Sequence, residues 1–428
     1  MVQRVRTKLA PHRIAQLPVE DRASQRECGR VRRRILVSIA CHWPALTCAV
    51  LIAQPIRAQV VDLRAAQLPL WRLEEDLRIG SVDGPNDAFV RPATVTIDAA
   101  GRIYVLDAGL PALSVFDSGG RFIRQYGRRG EGPGEYVSPA AFGVQGDTIW
   151  LSDARTGRIT YYDQRGEVLE SFQLNIGAPD EPLRIPVRAL GADVFLVISP
   201  PGPDLRRLPV GPAKFRQSIL RVRRNGAVID TLVFYESEFP AIVTAPGAVF
   251  AYQPIRDGVS VSYSAESDLI REVHRRASQT GGASEFRIVF RTRSGEIVKE
   301  QAYRYRPLEL RESVRDSLLA EAHRRLSGAS GVMKEVALRH LYLPRFQPPT
   351  STGLINVGDG SYWIQRESFP MGSTQYLVID PDLRALARVQ APEKASRLLT
   401  LSEEYAWFLL KGALDVPFVV RYKIRKEY

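Results

Sequence analysis

"GRIYVLDAGLPALSVFDSGGRFIRQYG", residues 101–127, is followed by "GDTIWLSDARTGRITYYDQRGEVLESF", residues 146–172. At an offset of 46 residues, 101–126 aligns with 147–172 without a gap, with matches at Ile103 and Ile149, Tyr104 and Trp150, Asp107 and Asp153, Asp117 and Asp163, and Gly120 and Gly166. Both alternate short runs of Val, Ile, Tyr and Phe with turn residues, which is typical of short β-strands. A repeat of about 40 to 50 residues that holds several strands predicts the blade of a β-propeller.

Four further units with a weaker version of this pattern follow. Their strand-like stretches are 191–199 and 219–234, 257–264 and 286–301, 358–368 and 375–389, and 403–410 and 418–424. The sixth unit lacks its outermost strand, which residues 71–80 can supply from before the first unit. Such a strand closes the ring and removes two exposed sheet edges. We therefore predict an all-β fold, a six-bladed β-propeller whose N-terminal strand closes the last blade.

A large side chain recurs at one position of the units. The residues assigned to it are Tyr104, Trp150, Phe195, Val261, Trp363 and Trp407, in unit order. A ring in the middle of each sheet can cover the face of the next blade. Because the position recurs in unit after unit, we interpret it as packing between blades rather than as an aromatic cage for a ligand.

The stretch "YGRRGEGPGEY", residues 126–136, is rich in glycine and charge. It lies between the predicted outer strand of unit one and inner strand of unit two, and residues 80–92 are an earlier copy in which Phe89 corresponds to Tyr136. A phosphate-binding loop would read G-x-x-x-x-G-K-[ST] and open a helix, whereas here a strand follows. We interpret both stretches as joints between blades, with the aromatic residue filling the gap.

These joints carry a family resemblance, together with "SDARTGRITYYDQRGEVLESF" (residues 152–172) and "LDVPFVVRYKI" (residues 414–424). They resemble the repeats of NHL-type six-bladed β-propellers and, more narrowly, exported bacterial six-bladed β-propeller proteins of uncharacterised function. The resemblance covers residues 70–428 and is strongest in the first two units. It implies a binding platform, often for protein or glycan, with no single shared reaction.

Residues 1–58 have the layout of a secretory signal. Arginines at 30–34 precede an apolar run over 35–53, and Ala58 offers a small residue for cleavage before Gln59. A retained membrane anchor is the alternative, since nineteen residues can span a bilayer. Residues 1–58 hold eleven Lys/Arg and three Asp/Glu, so they carry eight of the twelve net positive charges. The predicted propeller, residues 59–428, keeps only four, which disfavours nucleic-acid binding.

Catalytic signatures are scarce after residue 58. All three cysteines precede that residue, which excludes thiolate chemistry and Cys-based metal sites in the propeller. The remaining histidines, at 274, 323 and 340, share no repeat position, and no G-x-S-x-G motif is present. Asp107 and Asp153 end predicted strands and are expected to bond their own turns. We predict no catalytic residue, no metal site and no cofactor.

One inserted helix is predicted at about 307–327, between units four and five. Its apolar face combines Leu310, Val314, Leu318, Ala322 and Leu326, and Gly328 ends the run. We interpret this helix as structural decoration rather than as a ligand lid.

Charged loops are the candidates for ligand binding, because propeller loops carry most of the specificity. Arg155 and Arg158 lie in "DARTGR" (153–158), and Arg366 lies in "YWIQRE" (362–367). Arg206 and Arg207 lie with Lys214 in a Pro/Gly-rich insert at 200–215.

These observations favour an exported, non-catalytic binding or scaffold propeller, located in the periplasm or outside the cell. The expected partner is a protein, a peptide or a glycan, and the expected state is a monomer without a stable membrane span after signal cleavage. A propeller hydrolase or lyase with an axial metal ion is the first alternative. A structural part of an envelope complex is the second.

Overall fold

Six blades, each built from four antiparallel strands, form a six-bladed β-propeller, as predicted. Blade four carries a fifth strand at its edge, and a parallel pair joins blades five and six into one eight-stranded sheet. The computed structural model describes residues 60–174, 185–191, 193–199, 211–213, 216–236, 241–244, 247–250, 253–328, 331–366 and 374–427. The proposed signal and the candidate residues Arg206 and Arg207 lie outside these ranges.

The first three blades each use four consecutive long strands. Blade one contains Pro92–Ile97, Ile103–Asp107, Ala112–Phe116 and Phe122–Tyr126. Blade two contains Pro139–Gln145, Thr148–Asp153, Arg158–Tyr162 and Val168–Gln173. Blade three contains Ile185–Ala189, Val194–Ser199, Arg216–Arg223 and Val228–Glu236.

The last three blades also involve the N-terminal segment. Blade four contains Val259–Ser264, Leu269–His274, Ser284–Arg291 and Ile297–Tyr305, with Val61–Asp62 added at its outer edge. Blade five contains Leu354–Asn356, Tyr362–Arg366, Gln375–Ile379 and Ala385–Gln390. Blade six contains Ala395–Leu401, Tyr405–Lys411, Pro417–Arg425 and Leu70–Ile79.

The N-terminal strand closes blade six, as the sequence predicts. Leu70–Ile79 pairs antiparallel with Pro417–Arg425, and the register runs from Arg72 opposite Arg425 to Ile79 opposite Val419. On the inner side of this seam, Arg397 of blade six donates to the carbonyl oxygens of Pro92 at 2.7 Å and Ala93 at 2.9 Å in blade one. The ring is therefore joined at both its outer and its inner edge.

The N-terminal segment also contacts the two blades before the seam, which the sequence did not predict. Val61–Asp62 runs parallel to the outer strand of blade four, with Val61 opposite Tyr303. Leu70 then lies opposite Arg388 on the outer strand of blade five before the segment enters blade six. Residues 61–79 thus form a strap over the outer edges of blades four, five and six.

Neighbouring blades pack through buried side chains at each seam. The recurring rings at Tyr104, Trp150, Phe195, Trp363 and Trp407 are all at most 2% exposed, so the packing interpretation is confirmed. The assignment of Val261 is wrong, because Val261 lies in the first strand of blade four. Arg271 takes that place in the second strand, and its guanidinium lies 4.9 Å from the ring centre of Tyr362 in blade five.

In each of the first two blades, one buried aspartate bonds the blade to the joint that precedes it. Asp107 accepts backbone N–H bonds from Val90 and Arg91 in the joint and from Gly109 and Leu110 in its own turn, at 2.7–3.1 Å. Asp153 repeats the arrangement, with bonds from Val137 and Ser138 at 2.7 Å and from Arg155 and Thr156 at 2.9 Å. The predicted turn bonds are confirmed, and the bonds to the joints are an addition.

The stretch 126–136 is a joint, as expected. Arg128–Arg129 and Glu135–Tyr136 form a short parallel ladder, and the buried Tyr136 hydroxyl lies 2.8 Å from the Tyr162 hydroxyl in blade two. Gly127 has a φ of +80°, and a Cβ there would lie 2.6 Å from the Tyr136 ring. The close approach and the positive φ together explain why glycine stands at this position.

The two faces of the propeller differ in the length of their connections. On one face, first strands join second strands and third strands join outer strands through two to five residues; we call this the tight-turn face. The opposite face carries the second-to-third connections and the joints between blades, which reach 48 residues at 306–353. We call it the long-connection face. A separate three-stranded sheet, formed by Gly211–Ala213, Ala241–Thr244 and Gly247–Phe250, belongs to these connections.

The longest connection contains two helices where the sequence predicted one. Helix α1 covers Glu312–Arg325, within the predicted range, and helix α2 covers Gly331–Arg339. Leu310 and Leu318 pack against Ile255 in the joint that enters blade four. Neither helix, nor any other in the described ranges, has the length and apolar character needed to cross a membrane.

Replacing Asp153 should destabilise the propeller. Burial raises the pKa of Asp153, but the backbone N–H groups of Ser138, Thr156, Val137 and Arg155 outweigh burial and leave the pKa below its usual value. In Asp153→Asn an amide nitrogen must face N–H donors, so we expect a loss of about 3 kcal/mol in unfolding free energy, measured by urea denaturation. Asp163→Asn, in an exposed turn, is the matched control and should cost below about 0.5 kcal/mol.

The pH dependence of this effect has a defined sign. Because the folded-state pKa of Asp153 lies below its usual value of 3.8, its stabilisation is complete well above that value and declines as pH falls through the folded-state pKa. The difference between wild type and Asp153→Asn should therefore be full at neutral pH and shrink below about pH 5. If the difference in unfolding free energy between wild type and Asp153→Asn is the same at neutral pH as it is well below pH 5, the stabilisation does not come from the ionised Asp153 carboxylate.

Candidate functional site

A cleft of about 540 Å³ opens on the long-connection face between blades three and four. Its walls come from the end of the outer strand of blade three, the joint that enters blade four, the second strand of blade four and the segment after helix α2. Aromatic and ionisable side chains of its lining are Phe234, Tyr235, Asp257, Glu272, His274, Arg276, His340 and Tyr342. Four separate parts of the chain therefore build one site.

One wall of the cleft carries a paired histidine and glutamate. His274 Nε2 lies 2.9 Å from Glu272 Oε2, and Arg291 Nε donates to the same oxygen at 3.1 Å. The hydrogen bond from His274, together with Arg291, lowers the pKa of Glu272 below its usual value despite partial burial. Glu272 is therefore ionised at neutral pH and fixes the orientation of the His274 imidazole in the cleft.

The opposite wall is tied to the helical insert by polar bonds. Tyr342 donates its hydroxyl to Asp257 Oδ2 at 2.6 Å, and burial together with Asp257 raises the pKa of Tyr342 well above its usual value. Gln253 accepts the Tyr342 backbone N–H at 2.8 Å and donates to the His340 carbonyl at 2.9 Å. These bonds hold the chain after helix α2 against the joint into blade four and fix the position of this wall.

The cleft combines aromatic rings with both hydrogen-bond donors and hydrogen-bond acceptors. Phe234 is 61% exposed, and Tyr235 and Tyr342 add partly exposed rings. Asp257 and Glu272 supply acceptors, while Arg276 supplies donors. Rings that can cover the flat face of a ligand, next to convergent polar groups, are the usual composition of a specific ligand site.

The sequence had a signal for part of this site. Asp107 and Asp153 are the last residues of the second strands of blades one and two, and His274 and Arg366 hold that same place in blades four and five. The misplacement of Val261 shifted the fourth unit by one strand and hid this correspondence for His274. The cleft itself joins segments far apart in the sequence, so no local pattern could predict it.

The three predicted binding residues that the structure describes fall in two places on the long-connection face. Arg155 lies 3.9 Å from Glu131 in an exposed ion pair, while Arg158 donates to the carbonyl oxygens of Glu131 and Gly132 in the joint before blade two. Arg366 lies far along the chain at the end of a blade-five strand, where its Nε approaches the Pro349 carbonyl at 3.4 Å. Their roles in ligand binding stay predictions.

Metal ligands do not cluster in the part of the chain that the structure describes. Within it, no group of three or more His, Cys, Asp or Glu side chains has the arrangement needed to hold a metal ion. The paired side chains of the cleft are instead bonded to each other or to arginine.

Residues 89–180 match the model of a family described as a 6-bladed beta-propeller. This match covers the first two blades, where the repeats are most regular. A search of curated proteins found no significant match.

Solved structures with a similar fold are distant in sequence. A Bacteroides fragilis protein described as exported has 12% identity and a TM-score of 0.45, over 83% of this chain and 96% of that one. A member of the DUF4221 family from Bacteroides vulgatus has 10% identity and a TM-score of 0.49, over 85% and 100%. Virginiamycin B lyase from Staphylococcus aureus has 10% identity and a TM-score of 0.39, over 82% and 99%. At these identities the comparisons concern the fold and say nothing of function.

Arg158 and Arg155 make a matched pair of variants. Because Arg158 donates to two carbonyl oxygens of the joint at 127–138, Arg158→Met should loosen that joint and speed hydrogen exchange of its backbone N–H groups at least about tenfold. Arg155→Met removes only an exposed ion pair and should leave exchange unchanged. Equal exchange in the two variants would show that Arg158 does not hold the joint.

Proposed function

We propose that this protein is an exported, non-catalytic binding propeller that holds a segment of a peptide or glycan in the cleft between blades three and four. The observation that carries the proposal is the asymmetry of the two faces. Every connection longer than five residues in the blade framework leaves from the long-connection face, where the cleft also lies. Loops on a rigid scaffold are where binding surfaces are usually built.

The composition of the cleft supports a polar, chain-like ligand. Partly exposed aromatic rings can stack on a sugar ring or on a peptide side chain, and the acidic and basic groups can bond hydroxyl or amide groups. The wall formed by Asp257, Tyr342 and Gln253 is held by its own internal hydrogen bonds. Less ordering is then needed on binding, which favours affinity.

Export is part of the proposal and rests on residues 1–58, with their basic stretch, apolar run and small residue at 58. N-terminal sequencing of the protein from a periplasmic or culture fraction tests it, with Gln59 as the expected first residue. Recovery of the intact N-terminus in the membrane fraction would favour a retained anchor instead.

The metal-dependent hydrolase or lyase remains the rival function. It requires a metal on the propeller, which elemental analysis of the protein, purified without chelators, can detect. About one Ca²⁺ or Zn²⁺ per chain would favour this rival.

Two variants on one strand test the binding site. Phe234 and Val228 belong to the same outer strand of blade three. Phe234 lines the cleft, whereas Val228 is the first residue of the strand and lies at the tight-turn face. On an array of bacterial envelope glycans and peptides, Phe234→Ala should weaken the binding of wild-type ligands at least about tenfold, because it removes a ring at the site. Val228→Ala should bind as wild type.

Three results would contradict the proposal. They are the absence of any wild-type ligand on the array, equal binding by the two variants, and conversion of the bound ligand into a product. Mass spectrometry of the ligand after incubation separates simple binding from turnover.

A further inference from the structure

A second recess, of about 600 Å³, lies on the long-connection face between blades four and five. Its walls come from the strap, from the second-to-third connection of blade four, from the chain that leaves blade four and from the second strand of blade five. The ionisable side chains of its lining are Arg64, Arg306, Arg366 and Tyr305. Three of the described lining residues are arginines and none is acidic, so the described part of the lining is cationic.

The three arginines of this recess differ in their surroundings. Arg64 is paired with Asp62 through its Nε at 2.8 Å and through a second bond from the guanidinium, so its charge is balanced. Arg306 is exposed and makes no ion pair within the described part of the chain. Arg366 points its guanidinium at aromatic rings, with its central carbon 5.7 Å from the ring centre of Tyr305 and 5.9 Å from that of Phe286.

Tyr305 adds a second kind of group to the lining. Its side chain is 2% exposed, and its hydroxyl is buried without a hydrogen-bond partner. Burial raises the pKa of Tyr305 to about 12, so the hydroxyl keeps its proton at neutral pH. A neutral hydroxyl beside guanidinium groups can donate a hydrogen bond to an anion, whereas a phenolate would repel it.

Arg366 also occupies a position that serves a different purpose in other blades. In blades one and two the last residue of the second strand is a buried aspartate that accepts N–H bonds from the joint. In blade five the same place holds Arg366, which contacts the carbonyl of Pro349 at only 3.4 Å. Where blades one and two have an aspartate carboxylate that binds the joint, blade five has the Arg366 guanidinium at the border of an open recess.

We propose that this recess is a second binding site, for an anionic group that is either a carboxylate or a phosphate. Arginine suits both, because its planar guanidinium donates paired hydrogen bonds to two oxygens of the anion. The site is distinct from the cleft between blades three and four and does not depend on the proposed function of that cleft.

Isothermal titration calorimetry on the full chain tests the proposal with three probes: trigalacturonate, tripolyphosphate and maltotriose. Trigalacturonate presents carboxylates, tripolyphosphate presents phosphates, and maltotriose has hydroxyls without charge. We expect one or both anions to bind, maltotriose not to bind at this site, and added NaCl to weaken the binding. Binding of one anion alone identifies whether the carboxylate or the phosphate is preferred.

Two variants assign the binding to the recess. Arg306→Gln should lower the affinity for the anion at least about tenfold, because it removes a charged donor. The double variant Arg306→Gln/Arg366→Gln should abolish detectable binding. Arg121→Gln is the control, because Arg121 is an exposed arginine in a turn of the tight-turn face. Melting temperatures identify any loss of folding, and the exposed Arg306 alone keeps the test valid if the double variant is unstable.

The proposal fails if neither anion binds the wild type. It also fails if Arg306→Gln binds the anion as tightly as Arg121→Gln does. Phe234→Ala should leave anion binding unchanged, so failure of this site and failure of the cleft are separate results.

Discussion

Closure of the ring is the constraint on which the rest of this structure depends. Each blade has two apolar faces, and each face can be buried only against a neighbouring blade. A chain that ended with three strands of blade six would leave that blade short and the seam open. The N-terminal strand Leu70–Ile79 solves both problems, and Ile79 joins Trp407 of blade six and Val95 of blade one in one buried cluster. This strand is the C-terminal part of the strap, whose preceding residues pair with the outer strands of blades four and five.

The antiparallel blades also give the two faces different connections. Antiparallel strands send alternate connections to opposite faces, so the joints between blades share a face with the second-to-third connections. In blades one and two a buried aspartate locks these connections together. In blades four and five the same place holds His274 and Arg366, and each borders an open site. Both candidate sites therefore involve blade four, outside the two most regular blades.

Much of this architecture could be predicted from the sequence. The gapless repeat within 101–127 and 146–172 predicted the blades of a propeller. The absence of an outer strand in the sixth unit predicted that the N-terminal strand closes the ring. The glycine-rich stretch at 126–136 was correctly interpreted as a joint between blades. Blade four was assigned incorrectly because Arg271 replaces the ring that marks the second strand, and the alternating "VSVSYS" of the first strand was taken for it.

Other features could not be predicted because they depend on distant contacts. Helix α2 was missed, since the predicted helix ended at Gly328 and α2, with only nine residues, is too short to show a clear helical repeat. The cleft joins residues 234–236 with residues 340–342, and only the folded chain brings them together. The cationic recess likewise needs the strap, whose pairing with blade four involves only two residues and has no repeat to reveal it.

A disulfide across the closing seam tests the central claim most directly. Glu74 lies opposite Lys423 in the antiparallel pair that completes blade six. The variant Glu74→Cys/Lys423→Cys should form this bond on mild oxidation, since directly opposed residues of antiparallel strands are within disulfide range. Peptide mapping by mass spectrometry should then recover the two segments linked. If both thiols remain free in the folded protein, the N-terminal strand does not close the propeller.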